Sequence, residues 1–178
     1  MRNIEMFKLS TQRLDIVPLS LTQLLMYSSF EYLLEKELGT IKHKRALPLE
    51  LTHTLGQFII PYVTQHPKEI LFGTLWAIID HDTNIIVGDI GFKGMPSSRG
   101  LLEVGYGTYP DFENKGYMTE ALSKLAAWAF GQSGVEIIVA ETDKGNISSQ
   151  KILTKNKFSP FAETDLAYWW RLDRDAIN

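Results

Sequence analysis

The sequence has no cysteine among its 178 residues. Disulfide bonds, thiolate metal sites and catalysis through a cysteine nucleophile are therefore excluded. An excess of basic residues is missing as well, since 18 Lys and Arg stand against 21 Asp and Glu and leave a net charge of -3. Proteins that neutralise many phosphates usually carry a broad positive charge, so we expect no nucleic-acid partner.

Long hydrophobic runs are also scarce. The longest, residues 71–79, is interrupted by Gly73 and Thr74 and is far shorter than a membrane span. Residues 1–10 contain no continuous apolar segment of the kind found in signal peptides. There is no internal repeat, low-complexity tract or long Pro/Gly/Ser linker. The sequence therefore predicts one domain over residues 1–178, in the cytoplasm and away from membranes.

Three familiar site patterns are absent. The four histidines have neither HxxxH spacing nor an acidic partner at metal-ligand spacing, so no metal is predicted. Gly105-Tyr106-Gly107 starts like a dinucleotide-binding fingerprint, but Pro110 takes the place of its third glycine. Residues 131–134 read Gly-Gln-Ser-Gly and end a predicted helix, unlike the Gly-x-Ser-x-Gly elbow of hydrolases.

Apolar, β-branched runs alternate with amphipathic segments along the chain. The runs predict strands over residues 13–17, 71–80, 84–93, 101–109, 135–142, 158–163 and 166–172. The amphipathic segments predict helices over residues 21–38, with a break near Ser28 and Ser29, and over 51–64, 116–132 and 146–156. A strand, helix and strand in succession imply a parallel pair with a right-handed crossover, added here to an antiparallel meander. The predicted fold class is α/β or α+β, with a mixed, mostly antiparallel central sheet and flanking helices.

One junction carries the strongest functional signal. Residues 106–121 lead from an apolar strand through a turn containing Gly116 into a helix. At such a junction the N–H groups of the first helical turn and the positive end of the helix dipole can hold a pyrophosphate without a basic side chain. The sequence therefore predicts a nucleotide-like ligand here.

This order of elements and these motifs resemble the Gcn5-related N-acetyltransferase (GNAT) superfamily, in particular its ribosomal-protein N-terminal acetyltransferase-like (RimJ/RimL-type) branch. The resemblance begins at Thr11-Gln12-Arg13-Leu14, is strongest over residues 103–130 and continues over 146–158. At the family's cofactor motif, Gln/Arg-x-x-Gly-x-Gly/Ala, the chain has Glu113, Asn114, Lys115, Gly116, Tyr117 and Met118. Because Glu113 and Met118 depart from that motif, both side chains must point away from the phosphates.

The resemblance implies acetyl-CoA as co-substrate. Backbone groups of Tyr106, Gly107 and Thr108 would bind the pantetheine arm between two splayed strands, with the Thr108 N–H polarising the thioester carbonyl. Asn146 would help to hold the same arm at the start of the next helix, with Ser149 close to the cofactor. The alternative for Asn146 is an ordinary helix N-cap.

The turn after that helix departs from the family pattern. Lys157 stands where the family usually has a glycine before Phe158. A side chain at this position costs roughly 1 kcal/mol if the backbone φ is positive.

Direct attack of an amine on the thioester needs a proton acceptor and a proton donor. The resemblance assigns the first role to Glu103, acting directly or through water; the alternative is a solvent-facing strand residue. The tyrosine that many relatives use as donor is replaced by Leu153. Ser149 is then the available hydroxyl, unless it is only a small residue that lets the cofactor approach.

The expected function is an N-acetyltransferase whose acceptor is a protein N-terminus, a polyamine, an amino sugar or another small amine. A CoA-binding sensor or scaffold without catalysis is the alternative. It is motivated by the departures at Glu113, Met118, Leu153 and Lys157. Glu120 is interpreted as an acidic residue favouring a helix N-terminus.

Two further segments bear on partners. The aromatic side chains of the strand at residues 168–170 could fill the core or line the acceptor cleft. A homodimer that forms through this strand, as a sheet edge, is a further hypothesis. Residues 42–45 predict a solvated basic loop, with contact to an acidic acceptor as the alternative.

Overall fold

The structure is a computed structural model that describes residues 4, 7–29, 32–45 and 47–177. Its strands are β1 (Leu9–Ser10), β2 (Leu14–Pro18), β3 (Leu75–Asp80), β4 (Ile85–Phe92), β5 (Leu101–Thr108), β6 (Ile137–Asp143), β7 (Ser159–Glu163) and β8 (Ala167–Asp173). Its α-helices are α1 (Leu21–Tyr27), α2 (Leu33–Leu38), α3 (Leu49–Thr54), α4 (Ile60–Gln65), α5 (Ile70–Gly73), α6 (Tyr117–Phe130) and α7 (Ile147–Lys155). A π-helical turn, Leu55–Ile59, joins α3 to α4. Short 3-10 turns lie at Pro67–Glu69, Pro110–Phe112 and Arg174–Ile177.

The strands form one sheet in the order β1-β2-β3-β4-β5-β6-β8-β7. Every neighbouring pair is antiparallel except β5 and β6, which are parallel and joined through α6. The predicted fold class is therefore confirmed. The two-residue strand β1 was missed because so short a segment carries no periodic pattern.

Strands β5 and β6 are paired over only three positions, from Leu101 opposite Ile137 to Glu103 opposite Val139. Beyond Glu103, β5 stays on β4 and β6 stays on β8. A gap therefore opens in the middle of the sheet, between the second half of β5 and the second half of β6.

Helix α6 covers one face of the sheet with a stripe of buried residues. The stripe consists of Met118, Ala121, Leu122, Leu125, Ala126, Ala129 and Phe130. Trp128 adds an aromatic cluster with Trp76 of β3 and Phe92 of β4, at centroid distances of 5.2 and 6.3 Å. The opposite face is covered by α1 and α2, whose Leu24, Tyr27 and Leu34 are fully buried.

The helix predicted over residues 21–38 is two helices. A capping box between Ser20 and Gln23 starts α1, and Ser28 follows its last turn. Gly39 ends α2 in the left-handed conformation that favours glycine, with φ 68°. Residues 30 and 31 of the prediction lie outside the described residues.

The helix predicted over residues 51–64 is continuous but changes type. Pro61 cannot donate the backbone hydrogen bond of a regular helix interior. The chain responds with the π-helical turn just before it, in which the Ile60 N–H bonds to Leu55 O.

Two predictions need correction. Residues 71–73 belong to helix α5, and the strand predicted over 71–80 begins only at Leu75. A short apolar run fits a buried helical turn as well as a strand, so the sequence could not separate them. The aromatic strand β8 is also not a sheet edge, because it lies between β6 and β7. The exposed strand β7 is the edge on this side of the sheet.

Candidate active site

The turn before α6 forms an open, uncapped helix N-terminus. Gly116 is the N-cap residue with φ 79°, and no side chain of the described residues caps the helix. A Cβ at Gly116 would lie 3.5 Å from Nη2 of Arg13. A helix N-terminus without a side-chain cap leaves first-turn N–H groups available to an anion. A groove of about 580 Å³ beside Gly116 includes Lys124 and Lys155.

Arg13, which directly precedes β2, connects this turn to that part of the sheet. Its Nε donates to Glu120 Oε2 at 2.7 Å, its backbone N–H donates to Oε1 at 3.1 Å, and its Nη1 donates to Lys115 O at 3.1 Å. Burial alone raises the pKa of Glu120, but hydrogen bonds from Thr11 and Arg13 outweigh it and lower that pKa. Glu120 therefore does more than favour a helix start: it ties the opening motif of the chain to the turn.

The residues that depart from the family's cofactor motif are accommodated differently. Met118 is only 3% exposed and packs into the core, so it leaves the turn clear. Glu113 is exposed and lines the cleft. Asn114 has a positive φ of 61°, and the Lys115 ammonium lies 5.0 Å from the centre of the Phe112 ring.

The gap between β5 and β6 opens into a cleft of about 1290 Å³. Backbone alternation decides what β5 presents to it. Tyr109 N–H bonds to Val87 O and Lys93 N–H bonds to Glu103 O, so the odd-numbered residues of β5 direct their polar groups at β4. The N–H and C=O groups of Tyr106 and Thr108 therefore point into the gap. The N–H and C=O groups of Gly107 point to β4. Gly107 affects the cleft only because it has no side chain to fill it.

Helix α7 supplies the opposite wall of the gap. The side chain of Asn146 caps α7 by accepting the Ser149 N–H at 3.0 Å, and a role in cofactor binding beside this cap stays a prediction. Ser149 is 9% exposed, and its hydroxyl lies 2.8 Å from the Tyr106 hydroxyl across the gap. Burial raises the pKa of Tyr106 to about 12, against a lowering effect of its bond to Ser149. Leu153 is fully buried in the core and carries no polar group to the cleft.

Glu103 lines the same cleft at the point where β5 and β6 cease to pair. Its carboxylate forms a close ion pair with the Lys93 ammonium, and its side chain is 24% exposed.

A row of residues on β4 and β5 forms the floor of the cleft on the α1 side of the sheet. Asp89, Gly91 and Lys93 lie opposite Gly107, Gly105 and Glu103 and share one face, because opposite residues of an antiparallel pair do so. We call this row the glycine strip. It has a carboxylate at one end, an ion pair at the other and no side chain at its glycines.

Asp89 is the site residue that sequence reasoning missed. It is 4% exposed and lines the cleft. The Tyr27 hydroxyl donates to its Oδ2 at 2.8 Å and lies 2.9 Å from the Tyr109 hydroxyl. Burial raises the pKa of Asp89 to about 6, against lowering effects of Tyr27 and Arg45. An aspartate between glycines in an apolar strand was the signal that could have found it.

Arg45 corrects the prediction of a solvated loop at residues 42–45. Its Nε lies 2.8 Å from Glu35 Oε1, and the two side chains are only 6% and 2% exposed. Its Nη1 donates to Tyr27 O at 2.9 Å, and its guanidinium lies over the Tyr27 ring. This buried ion pair supports the tyrosine that holds Asp89.

Among the described residues, no group of three or more His, Asp or Glu side chains could hold a metal ion. In the same part of the chain, no helix is long and apolar enough to cross a bilayer.

Residues 37–159 match the family model of the acetyltransferase (GNAT) domain. The uncharacterized N-acetyltransferase YjdG of Bacillus subtilis (strain 168) is 40% identical over 83 residues, which cover 47% of this chain and 49% of that protein. YoaA of the same organism is 30% identical over 86 residues, or 48% of this chain and 49% of that protein. These alignments span about half the length of the relatives they match.

Solved structures give longer but more distant matches. The ribosomal-protein-S5-alanine acetyltransferase of Vibrio fischeri has a TM-score of 0.69 at 15% identity, over 95% of this chain and 97% of that chain. RimL, a ribosomal L7/L12 alpha-N-protein acetyltransferase in complex with coenzyme A, has a TM-score of 0.68 at 14% identity, over 96% and 99%. At such identity these matches show a shared fold.

Proposed function

Because this chain belongs to the GNAT acetyltransferase family, we propose that it transfers the acetyl group of acetyl-CoA to a primary amine by direct attack with both substrates bound. One observation carries the proposal: the uncapped N-terminus of α6 lies beside a gap in the sheet into which β5 directs free backbone groups. The first feature suits a pyrophosphate and the second an extended, amide-containing arm.

In this proposal the turn of residues 113–118 and the first turn of α6 bind the pyrophosphate through backbone N–H groups. Tyr106 and Thr108 bind the pantetheine arm, and the Thr108 N–H stabilises the oxyanion that develops on the thioester, an effect often worth a few kcal/mol. Asn146 and Ser149 contact the arm from α7. Gly107 belongs to the proposed cofactor site because its lack of a side chain leaves room for the arm.

The proposal also assigns a base and an acid to the reaction. Glu103 is the first candidate for taking the amine proton, directly or through water. The Ser149 hydroxyl, held by Tyr106, is the donor to the departing sulfur. Leaving a thiolate unprotonated at pH 7 forgoes only about 2 kcal/mol, so a serine or water is sufficient.

The acceptor is proposed at the level of a primary amine. Two similar structures carry the names of enzymes that act on ribosomal proteins, which supports a protein N-terminus among the candidates. An α-amino group with a pKa near 8 needs about 1.4 kcal/mol to become neutral at pH 7, whereas a lysine-like amine needs about 4.6 kcal/mol. One domain over residues 1–178, a cytoplasmic location and a homodimer remain predictions.

Two measurements on the purified chain test the function. Calorimetry should detect binding of acetyl-CoA and CoA, and a thiol-release assay across α-amines, polyamines and amino sugars should detect turnover. Binding without amine-dependent thiol release would favour the CoA-binding module, for which the buried Leu153 in place of a tyrosine is the supporting observation. Absence of any CoA binding would contradict both functions.

A further inference from the structure

Strand geometry separates two carboxylates along the glycine strip. Glu103 lies four residues from Gly107 on β5, or about 13 Å along an extended strand. Asp89 is directly opposite Gly107, at the roughly 5.5 Å Cα distance of a hydrogen-bonded antiparallel pair. Thr108, whose N–H points into the gap, is the next residue after Gly107. Asp89 is therefore the carboxylate nearer to the proposed thioester position.

The Asp89 carboxylate is held with one oxygen left over. Tyr27 donates to Oδ2, and no donor to Oδ1 is found among the residues that the structure describes. A Cβ built on Gly107 would lie 3.8 Å from Oδ1 and 3.9 Å from Oδ2, so the carboxylate borders the space that the glycine leaves open. A nearly buried carboxylate with a free oxygen in a cleft calls for a cationic hydrogen-bond donor.

We infer that Asp89 binds the amino group of the acceptor and takes up its proton. The inference rests on the proposed acetyl transfer, and it replaces Glu103 as the proton acceptor. The ligand it predicts is a primary ammonium group that enters over Gly107. Glu103 remains paired with Lys93 at the other end of the strip.

The proposed reaction combines two proton transfers with one acyl transfer. One N–H proton of the ammonium passes to Asp89, and the freed lone pair attacks the thioester carbonyl carbon. The new N–C bond forms as the C–S bond breaks, and a second N–H proton reaches the sulfur by way of Ser149 or water. The products are an amide and a thiol, and Asp89 then releases its proton to solvent.

The surroundings of Asp89 suit proton transfer. The groups facing it are Tyr27 from α1, Tyr109 after β5 and, beyond them, the Arg45–Glu35 pair. Because its pKa is raised to about 6, the proton equilibrium with an amine of pKa near 8 is unfavourable by about 100-fold. For an ordinary aspartate the factor is about 10,000. The buried position therefore makes Asp89 the better base.

The test compares Asp89→Asn with Glu103→Gln, and uses Asp175→Asn, an exposed aspartate in the last turn of the chain, as the matched control. For Asp89→Asn we expect a loss in kcat/KM of about 100-fold or more and acetyl-CoA affinity within about twofold of the wild type. In the wild type kcat/KM should fall as the pH drops through about 6, and Asp89→Asn should lack that inflection. Asp175→Asn should match the wild type.

A second variant covers the case in which Asp89→Asn does not fold. The hydrogen bond from Tyr27 lowers the pKa of Asp89, so Tyr27→Phe should move the low-pH inflection to higher pH. Carboxyl NMR titration of Asp89 should report the same shift without any substrate.

Three results would overturn the inference. The first is wild-type kcat/KM in Asp89→Asn together with a large loss in Glu103→Gln. The second is an inflection that does not move in Tyr27→Phe. The third is a wild type that binds no acetyl-CoA or releases no thiol with any amine, which would remove the proposed function as well. The first two leave acetyl transfer intact, so the two failures are distinguishable.

Discussion

The turn before α6, whose Glu113 lines the cleft, and the cluster around Asp89 are built differently. The turn is local: residues 113–118 follow one another in the chain, and their backbone N–H groups form the proposed anion site. The Asp89 cluster joins Tyr27, Glu35, Arg45 and Tyr109 from four separate segments. The first depends on the conformation of a few consecutive residues, the second on packing and charge burial. Substitutions should therefore affect ligand binding at the turn and stability at the cluster.

The largest effect is expected for Gly116→Glu. It places a carboxylate at the pyrophosphate position and a side chain at φ 79°, which costs roughly 1–2 kcal/mol. We expect CoA affinity to fall by more than about 100-fold, or about 2.7 kcal/mol, as measured by calorimetry. Gly56→Glu is the control, because a Cβ at Gly56 has no heavy atom within 4 Å. Unchanged affinity in Gly116→Glu would locate the phosphate site elsewhere.

In the cluster around Asp89, Arg45→Ala leaves the Glu35 carboxylate buried without its cation. Breaking a buried pair typically costs 3–5 kcal/mol, and we expect a loss of about 3 kcal/mol in denaturant unfolding. Lys8→Ala, which breaks a pair whose lysine is 54% exposed, should lose less than about 1 kcal/mol. Equal losses in the two variants would mean that the Asp89 cluster does not depend on buried charge.

Asp89→Asn should raise stability while it removes function. The pKa of Asp89 is about 6 in the folded protein and near 3.8 when solvated, so the folded state binds more protons between these values. The contribution of Asp89 to stability therefore falls as the pH rises from about 4 to 6. We expect the variant to gain about 2 kcal/mol over the wild type at pH 8 and much less at pH 4.5, by chemical denaturation at both values. A gain independent of pH would have another origin.

The smallest effect is expected for Ser149→Ala, which keeps the backbone N–H that Asn146 caps. If Ser149 protonates the sulfur, kcat should fall by up to about 30-fold at pH 7 and less above pH 8.5, where the thiolate leaves unaided. Thiol release measured between pH 6.5 and 9 provides the test. A kcat equal to that of the wild type at every pH would make Ser149 a spacing residue.

The sequence predicted the turn better than the cluster. The turn at Gly116 and the Asn146 cap could be expected from residue type and position along the chain, and the positive φ of 65° at Lys157 agrees with the glycine that the family usually has there. Such features depend on neighbours within a few residues. The resemblance to the family also predicted the splayed strands.

The role of Arg13 could not be read from the chain. Its bonds to Glu120 and Lys115 span more than a hundred residues, and no periodic pattern encodes a contact of that kind. The basic run at residues 42–45 was misread for the same reason, because only the position of Glu35 shows that Arg45 is buried.

By itself the sequence determined the strand and helix order, the mixed sheet and the glycine turn before α6, because periodicity, caps and glycine conformations act over short stretches of chain. Tertiary structure alone decided which carboxylate lies beside Gly107. Strand register sets Asp89 opposite Gly107 and Lys93 opposite Glu103. Burial beside Tyr27 raises the pKa of Asp89. Register and burial arise only when distant segments pack together.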